Sequence, residues 1–208
     1  MLKKTPWLIF ISIITVFFLL MLRITLPYFT FRYDVDFLLT KQAILHIDAW
    51  RISFYIHIST SLLVLLLGAF QFSKSLLNNK PKFHRASGKI YVFTILILSA
   101  PSGFIMAIYA NGGWPAKTSF IITAILWWLF TFFALKDALN KNFKRHRANM
   151  YRSYALTLSA ITLRTLVVLM PLLDLHLAAK NSYALVAWLS WIPNLLICLL
   201  YTSPSPRD

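Results

Sequence analysis

Apolar residues run along this chain in six long stretches separated by short polar breaks, at about 7–26, 50–72, 90–110, 119–139, 151–171 and from 183 toward the tail. A helix rising ~1.5 Å per residue needs about 20 apolar residues to cross a hydrocarbon layer about 30 Å thick, so each stretch predicts a membrane-spanning helix. The apolar part of the first is too long for a secretory signal, and no small-residue cleavage site follows it. It therefore reads as a retained anchor. Residues 28–49 mix Phe37, Leu38, Leu39, Ile44, Leu45 and Ile47 with Asp36, Lys41, Gln42 and Asp48, which suits an amphipathic helix lying on the surface. Asn111-Gly112-Gly113-Trp114-Pro115 reads as a tight turn, with positive φ at the glycines and the indole at headgroup level, closing the third and fourth helices as a hairpin. Pro101 predicts a kink in the third.

Polar positions inside the stretches fall on stripes. In the second, His57, Ser61, Val64, Gly68 and Gln71 follow a three-and-four spacing; in the fifth, Ser153, Thr157, Ala160 and Arg164 do the same. Both stripes should face protein. His57 lies ~10 Å from the outer end of its helix and Arg164 ~20 Å from the inner end of its own, which sets both near one level and suggests an outer polar pocket. Burying a guanidinium costs at least ~2.5 kcal/mol, which favours a ligand-facing Arg164 over one that only solvates helix carbonyls. Arg23, at a similar level, reads as a side chain snorkelling to the interface. His57 is open between a ligand role and a core histidine satisfied by Ser or Thr.

Composition fits this pattern: 208 residues that are 59% hydrophobic and 13% charged, with mean hydropathy +0.67, are too apolar for one soluble core. The net charge of +15 would suggest nucleic acid in a soluble protein, so its distribution decides. Lys3 and Lys4, the five basic residues from Lys74 to Lys89 and the six from Lys136 to Arg152 share one side, against five on the other (Arg32, Lys41, Arg51, Lys117 and Lys180). Every second loop is basic, which predicts a six-span protein with its N-terminus in the cytoplasm. Anionic lipid headgroups are then a sufficient partner for the charge; nucleic acid is not called for, and a protein partner is left open. All six acids are aspartates and none sits in the middle of an apolar run, which argues against paired intramembrane carboxylates. One cysteine, Cys198, excludes an internal disulfide or a thiolate cluster. From Cys198 the composition shifts abruptly and resembles a peptide translated from sequencing-adapter DNA, the alternative being a short disordered polar tail.

The basic loops contain an echo. Phe83-His84-Arg85-Ala86 precedes the third span and Arg145-His146-Arg147-Ala148 the fifth, 62 residues apart, as in parallel hairpin repeats. Neutral His84 and His146 are candidate ligands for one iron or another metal. Arg85, Arg147 or Arg152 would pair anionic groups such as haem propionates, with Gln71 near the same level. Interfacial anchoring is the plainer alternative. His57 is a membrane's depth away and cannot share that iron, and an outer haem would need His46 or His176 as a partner.

The motifs Tyr55-x-His57, Leu67-Gly68-Ala69-Phe70-Gln71-Phe72, the run from Phe83 through His84-Arg85-Ala86-Ser87-Gly88 to Tyr91, Asn111-Gly112-Gly113, Trp127, the run from His146 to Leu156 and Thr162-Leu163-Arg164 together resemble a family of bacterial predicted membrane proteins. It is the domain-of-unknown-function family numbered twenty-three-oh-six. The resemblance implies a protein of the bacterial cytoplasmic (inner) membrane with helices two to five as a four-helix core and no established activity; with the first and sixth spans, which lie outside the strongest match, the expected fold is an all-α, polytopic membrane bundle of about six helices. The layout is also similar to b-type cytochrome bundles. The expected organisation is an anchor and outer loop over 1–49, the core over 50–171, a sixth helix over 172–197 and a non-native tail over 198–208. The leading expectation is a redox-type module for haem b or quinone, and the alternative is a non-catalytic membrane subunit or assembly factor. A transporter comes third, because no acid falls in the middle of a span and no central span is interrupted by paired Gly and Pro. No residue pattern assigns a catalytic group.

Overall fold

The computed structural model describes residues 4–173 and 178–202, and these form helices without any strand. Six helices are long and apolar enough to cross a membrane: Trp7–Thr30, Asp48–Gln71, Pro81–Ile108, Gly113–Leu139, Phe143–Leu172 and Ala179–Thr202. The chain is thus an all-α polytopic bundle, as its pattern predicts. The third and fifth spans begin about two turns before the apolar stretches do. Helical hydrogen bonding continues into the headgroup layer, where basic side chains stay solvated, whereas hydropathy registers only the part in hydrocarbon.

The chain divides into two compact units, residues 1–106 and 107–208. The first holds α1 (Lys4–Thr25), α2 (Asp36–Leu39), α3 (Asp48–Gln71), α4 (Lys74–Asn79), α5 (Pro81–Phe93) and most of α6 (Ala100–Ile108). Its core is Trp50, Phe54, Val64, Ala69, Tyr91 and Ile95, all buried. Residues 28–49 do not form the continuous amphipathic helix that their composition suggests. The loop is a 3-10 turn (Leu26–Thr30), the single turn of α2 and a second 3-10 turn (Gln42–Ile44). Pro27 and the positive φ at Phe31 (56°) and Asp36 (36°) break the helical hydrogen bonding. The apolar side of the loop serves protein: Leu38 and Leu45 are buried, and Tyr28, Phe37 and Trp50 all pack rings against Phe54. Arg32 donates to both carboxylate oxygens of Asp34, which holds that carboxyl below its usual range; both groups are exposed, so the pair adds little stability.

The third span contains a π-helical segment, Thr94–Ser99, directly before α6, with the Ala100 amide bonded to the Ile95 carbonyl five residues back. Pro101 has no N–H, so the helix meets it by widening one turn, and the deformation predicted at Pro101 is spread over the preceding residues.

The second unit holds α7 (Gly113–Leu139), α8 (Phe143–Thr157), α9 (Ser159–Leu169), α10 (Ala179–Leu189) and α11 (Ile192–Thr202). The turn before α7 is as its residues predict: Gly112 and Gly113 have φ of 84° and 72°, and Trp114 is 78% exposed. The fifth span is interrupted at Leu158 and the sixth at Ser190–Trp191, close to Pro193. Asn194 joins the two breaks, donating to Thr162 Oγ1 (2.9 Å) and to the carbonyls of Ser190 (3.2 Å) and Ala155 (3.5 Å). α11 runs through Cys198 to Thr202, so the change in composition at 198 is not a break in the backbone. The rest of the suspected tail, 203–208, and His176, proposed above as a partner for an outer haem, lie outside the described residues.

Candidate functional site

Three local features converge on His57. Its Nδ1 lies 2.9 Å from the Ser99 carbonyl oxygen, at the end of the π segment. A carbonyl carries no proton, so Nδ1 must donate, and in the neutral ring Nε2 is then the nitrogen with the lone pair. Ser99 Oγ donates to Thr60 Oγ1 at 2.8 Å, tying the same turn to α3. A Cβ placed on Gly103 would sit 2.9 Å from His57 Cε1, so glycine there makes room for the imidazole. One turn along α3, Ser61 Oγ is buried without a hydrogen-bond partner among the described residues, as is the hydroxyl of Tyr55.

At the basic end of the same unit, Gln71 closes α3 onto α5. The hydrogen-bond network orients its amide so that Oε1 accepts from Ser87 Oγ (2.8 Å) and the Gly88 amide (3.2 Å), while Nε2 donates to the His84 carbonyl (3.3 Å). Gln71 thus has a helix-closing bond set. His84 is half-buried and Arg85 exposed.

In the second unit, His146 Nδ1 lies 2.8 Å from the Ala134 carbonyl, which again assigns the ring proton to Nδ1. Beside it stands a polar cluster that the sequence reading did not single out. Asp137 is buried and accepts from Asn149 Nδ2 at 2.8 Å, with Arg145 Nε 3.8 Å from its other oxygen. Arg152 donates to Asn149 Oδ1 and Thr202 Oγ1, both at 3.3 Å, and lies 5.8 Å from the Phe130 ring centroid. Arg147 is exposed. Further into the unit the Ser153–Thr157 stripe faces protein as its spacing predicts: Ser153 Oγ pairs with Thr131 Oγ1 (2.8 Å), and Thr157 Oγ1 accepts from Trp127 Nε1 (3.1 Å). Trp191 Nε1 donates to Ser119 Oγ at 2.9 Å.

Arg164 is half-buried and donates to the Ala160 carbonyl at 3.3 Å. Arg23 is exposed on α1, as snorkelling requires. Of the candidate residues, His57, Gln71, His84 and Arg85 belong to the first unit, and His146, Arg147, Arg152 and Arg164 to the second. Asp137, Ser99, Gly103 and Asn194 were missed. Asp137 looked like one more loop-proximal acid, and the other three acquire meaning only through residues 32 to 46 positions away or through a neighbouring helix break.

Among the described residues no three or more His, Cys, Asp or Glu side chains are grouped to hold a metal ion.

A family profile described as predicted membrane protein, DUF2306, matches residues 54–202, well over half of the chain and reaching through the sixth span. No curated protein and no solved structure matches it.

Proposed function

This chain belongs to the predicted membrane protein family DUF2306, and on that premise we propose that it is a redox-type membrane module for haem b or quinone. The observation that carries this is the shared state of two imidazoles: His57 and His146 each hold Nδ1 against a backbone carbonyl, at 2.9 and 2.8 Å. Ligating histidines commonly bind through one nitrogen while the other donates to a carbonyl, an arrangement that sets the tautomer and makes the ligand more basic. The proposal keeps His84 of the first unit and His146 of the second as candidate imidazoles, with Arg85 and Arg147 next to them in sequence for anionic substituents, and keeps His57 and Arg164 as further polar candidates, one in each unit. Haem, when bound, supplies one-electron chemistry; the residues orient it and set its potential. The module sits in the bacterial cytoplasmic membrane with its basic loops and N-terminus inside, against anionic headgroups.

A second reading has its own support. Thr131 with Ser153, Trp127 with Thr157 and Asp137 with Asn149 satisfy one another internally, as in a subunit whose polar groups serve only to join helices. The visible spectrum of detergent-purified protein from haem-replete cells, oxidised and then dithionite-reduced, separates the two. A Soret band that shifts on reduction, and that His146→Ala abolishes, is expected. A blank spectrum together with no quinone uptake leaves the structural subunit.

A further inference from the structure

The second unit contains a cavity of about 270 Å³ between the end of the fifth span and the start of the sixth, lined by Val167, Met170, Pro171, Ala179, Ser182, Tyr183 and Val186. We infer that this cavity is the binding site for the ring of a membrane-soluble quinone, an assignment that rests on the redox reading above and names its lipid-phase ligand.

Four observations support it. The walls are aliphatic, with hydroxyls only from Ser182 and Tyr183, the mixture that suits a flat ring with a carbonyl on each side. Tyr183 is held in place: a Cβ on Gly112 would lie 2.8 Å from its Cδ1, and Phe120 packs edge-on at 6.1 Å, so the phenol cannot swing away without disturbing the turn. Arg164 lies one helical turn before Val167, on the same face, and is half-buried. That places a cation about one turn from the cavity wall, where it favours a ligand with carbonyl acceptors. Val167, Val168 and Leu185 at the flanks are exposed, so a ligand with an isoprenoid tail enters from the bilayer and leaves the tail in lipid. The volume admits one substituted six-membered ring and is far too small for a tetrapyrrole, so this site and the imidazole sites take different groups.

The test uses full-length protein in nanodiscs, titrated calorimetrically with a benzoquinone bearing one prenyl unit. Wild type is compared with Val167→Trp, which fills the cavity; Tyr183→Phe, which keeps the ring and its packing; and Val16→Trp, an exposed position on α1. Saturable one-to-one binding is expected, weakened at least about tenfold in Val167→Trp, several-fold in Tyr183→Phe and not at all in Val16→Trp. Equal affinity in wild type and Val167→Trp, or uptake that never saturates, overturns the inference. So does saturable phosphatidylglycerol binding at this site in place of quinone. The Soret spectrum of the same samples separates the two claims: haem present with no quinone site sinks this inference alone, and a quinone site with a blank spectrum supports it while removing haem.

Discussion

Single residues set the geometry around His57 in the first unit. Gly103 illustrates the competition there: in a helix interior Gly→Ala ordinarily stabilises by about 1 kcal/mol, yet a methyl 2.9 Å from His57 Cε1 overpacks the site, at about 1–3 kcal/mol. The clash should win, so Gly103→Ala is expected to lower stability by about 1 kcal/mol in denaturant titrations and to change the tautomer signature of His57 in ¹⁵N spectra. Combined with His57→Ala, the same change should turn neutral or stabilising, because the imidazole it strikes is gone. A stabilising single variant with an unchanged His57 signal would mean that the glycine does not position the ring. His57 was visible in the sequence as a polar residue in an apolar run. Its proton was not, because the acceptor is a backbone carbonyl 42 residues away on another helix.

At the level of elements, the two echo motifs occupy equivalent places. His84 and His146 are each the fourth residue of their helix, with backbone amides bonded to Lys80 and Asn142 just before it. Three residues on, Ser87 and Asn149 each bond a polar side chain at the end of the preceding span, Gln71 and Asp137. The match in local geometry gives the sequence echo a structural meaning: each hairpin closes its basic end with one cross-helix polar pair beside one histidine. Within the second unit the cross-helix bonds also set the register of α7 on α8. Interhelical hydrogen bonds in membranes contribute about 0.6 kcal/mol on average and about 1.7 at most. Thr131→Val, which removes the Thr131–Ser153 bond, should therefore cost about 1 kcal/mol in SDS unfolding, whereas Thr123→Val, which loses only a bond to its own helix, should cost much less. Equal losses would show that the Thr131–Ser153 pair contributes no cross-helix energy.

For the whole molecule, the alternation of basic loops predicts orientation. Reporter fusions at Asn78 and Asn140 should read as cytoplasmic and a fusion at Asn111 as external; the reverse pattern would invert every assignment of inner and outer made here. The six spans, their all-α character and the Gly112–Gly113 turn were determined by the sequence alone, because a segment's transfer into lipid and the positive φ open to glycine are local properties. Tertiary structure decided the rest. The loop over residues 28–49 breaks into short turns because its apolar side chains find Phe54; the third span widens into a π turn ahead of Pro101; Asp137 is buried because Asn149 meets it; and Asn194 bridges two helix breaks. Each depends on which distant group supplies the missing hydrogen bond or packing partner, and in a span without water that partner has to come from another helix.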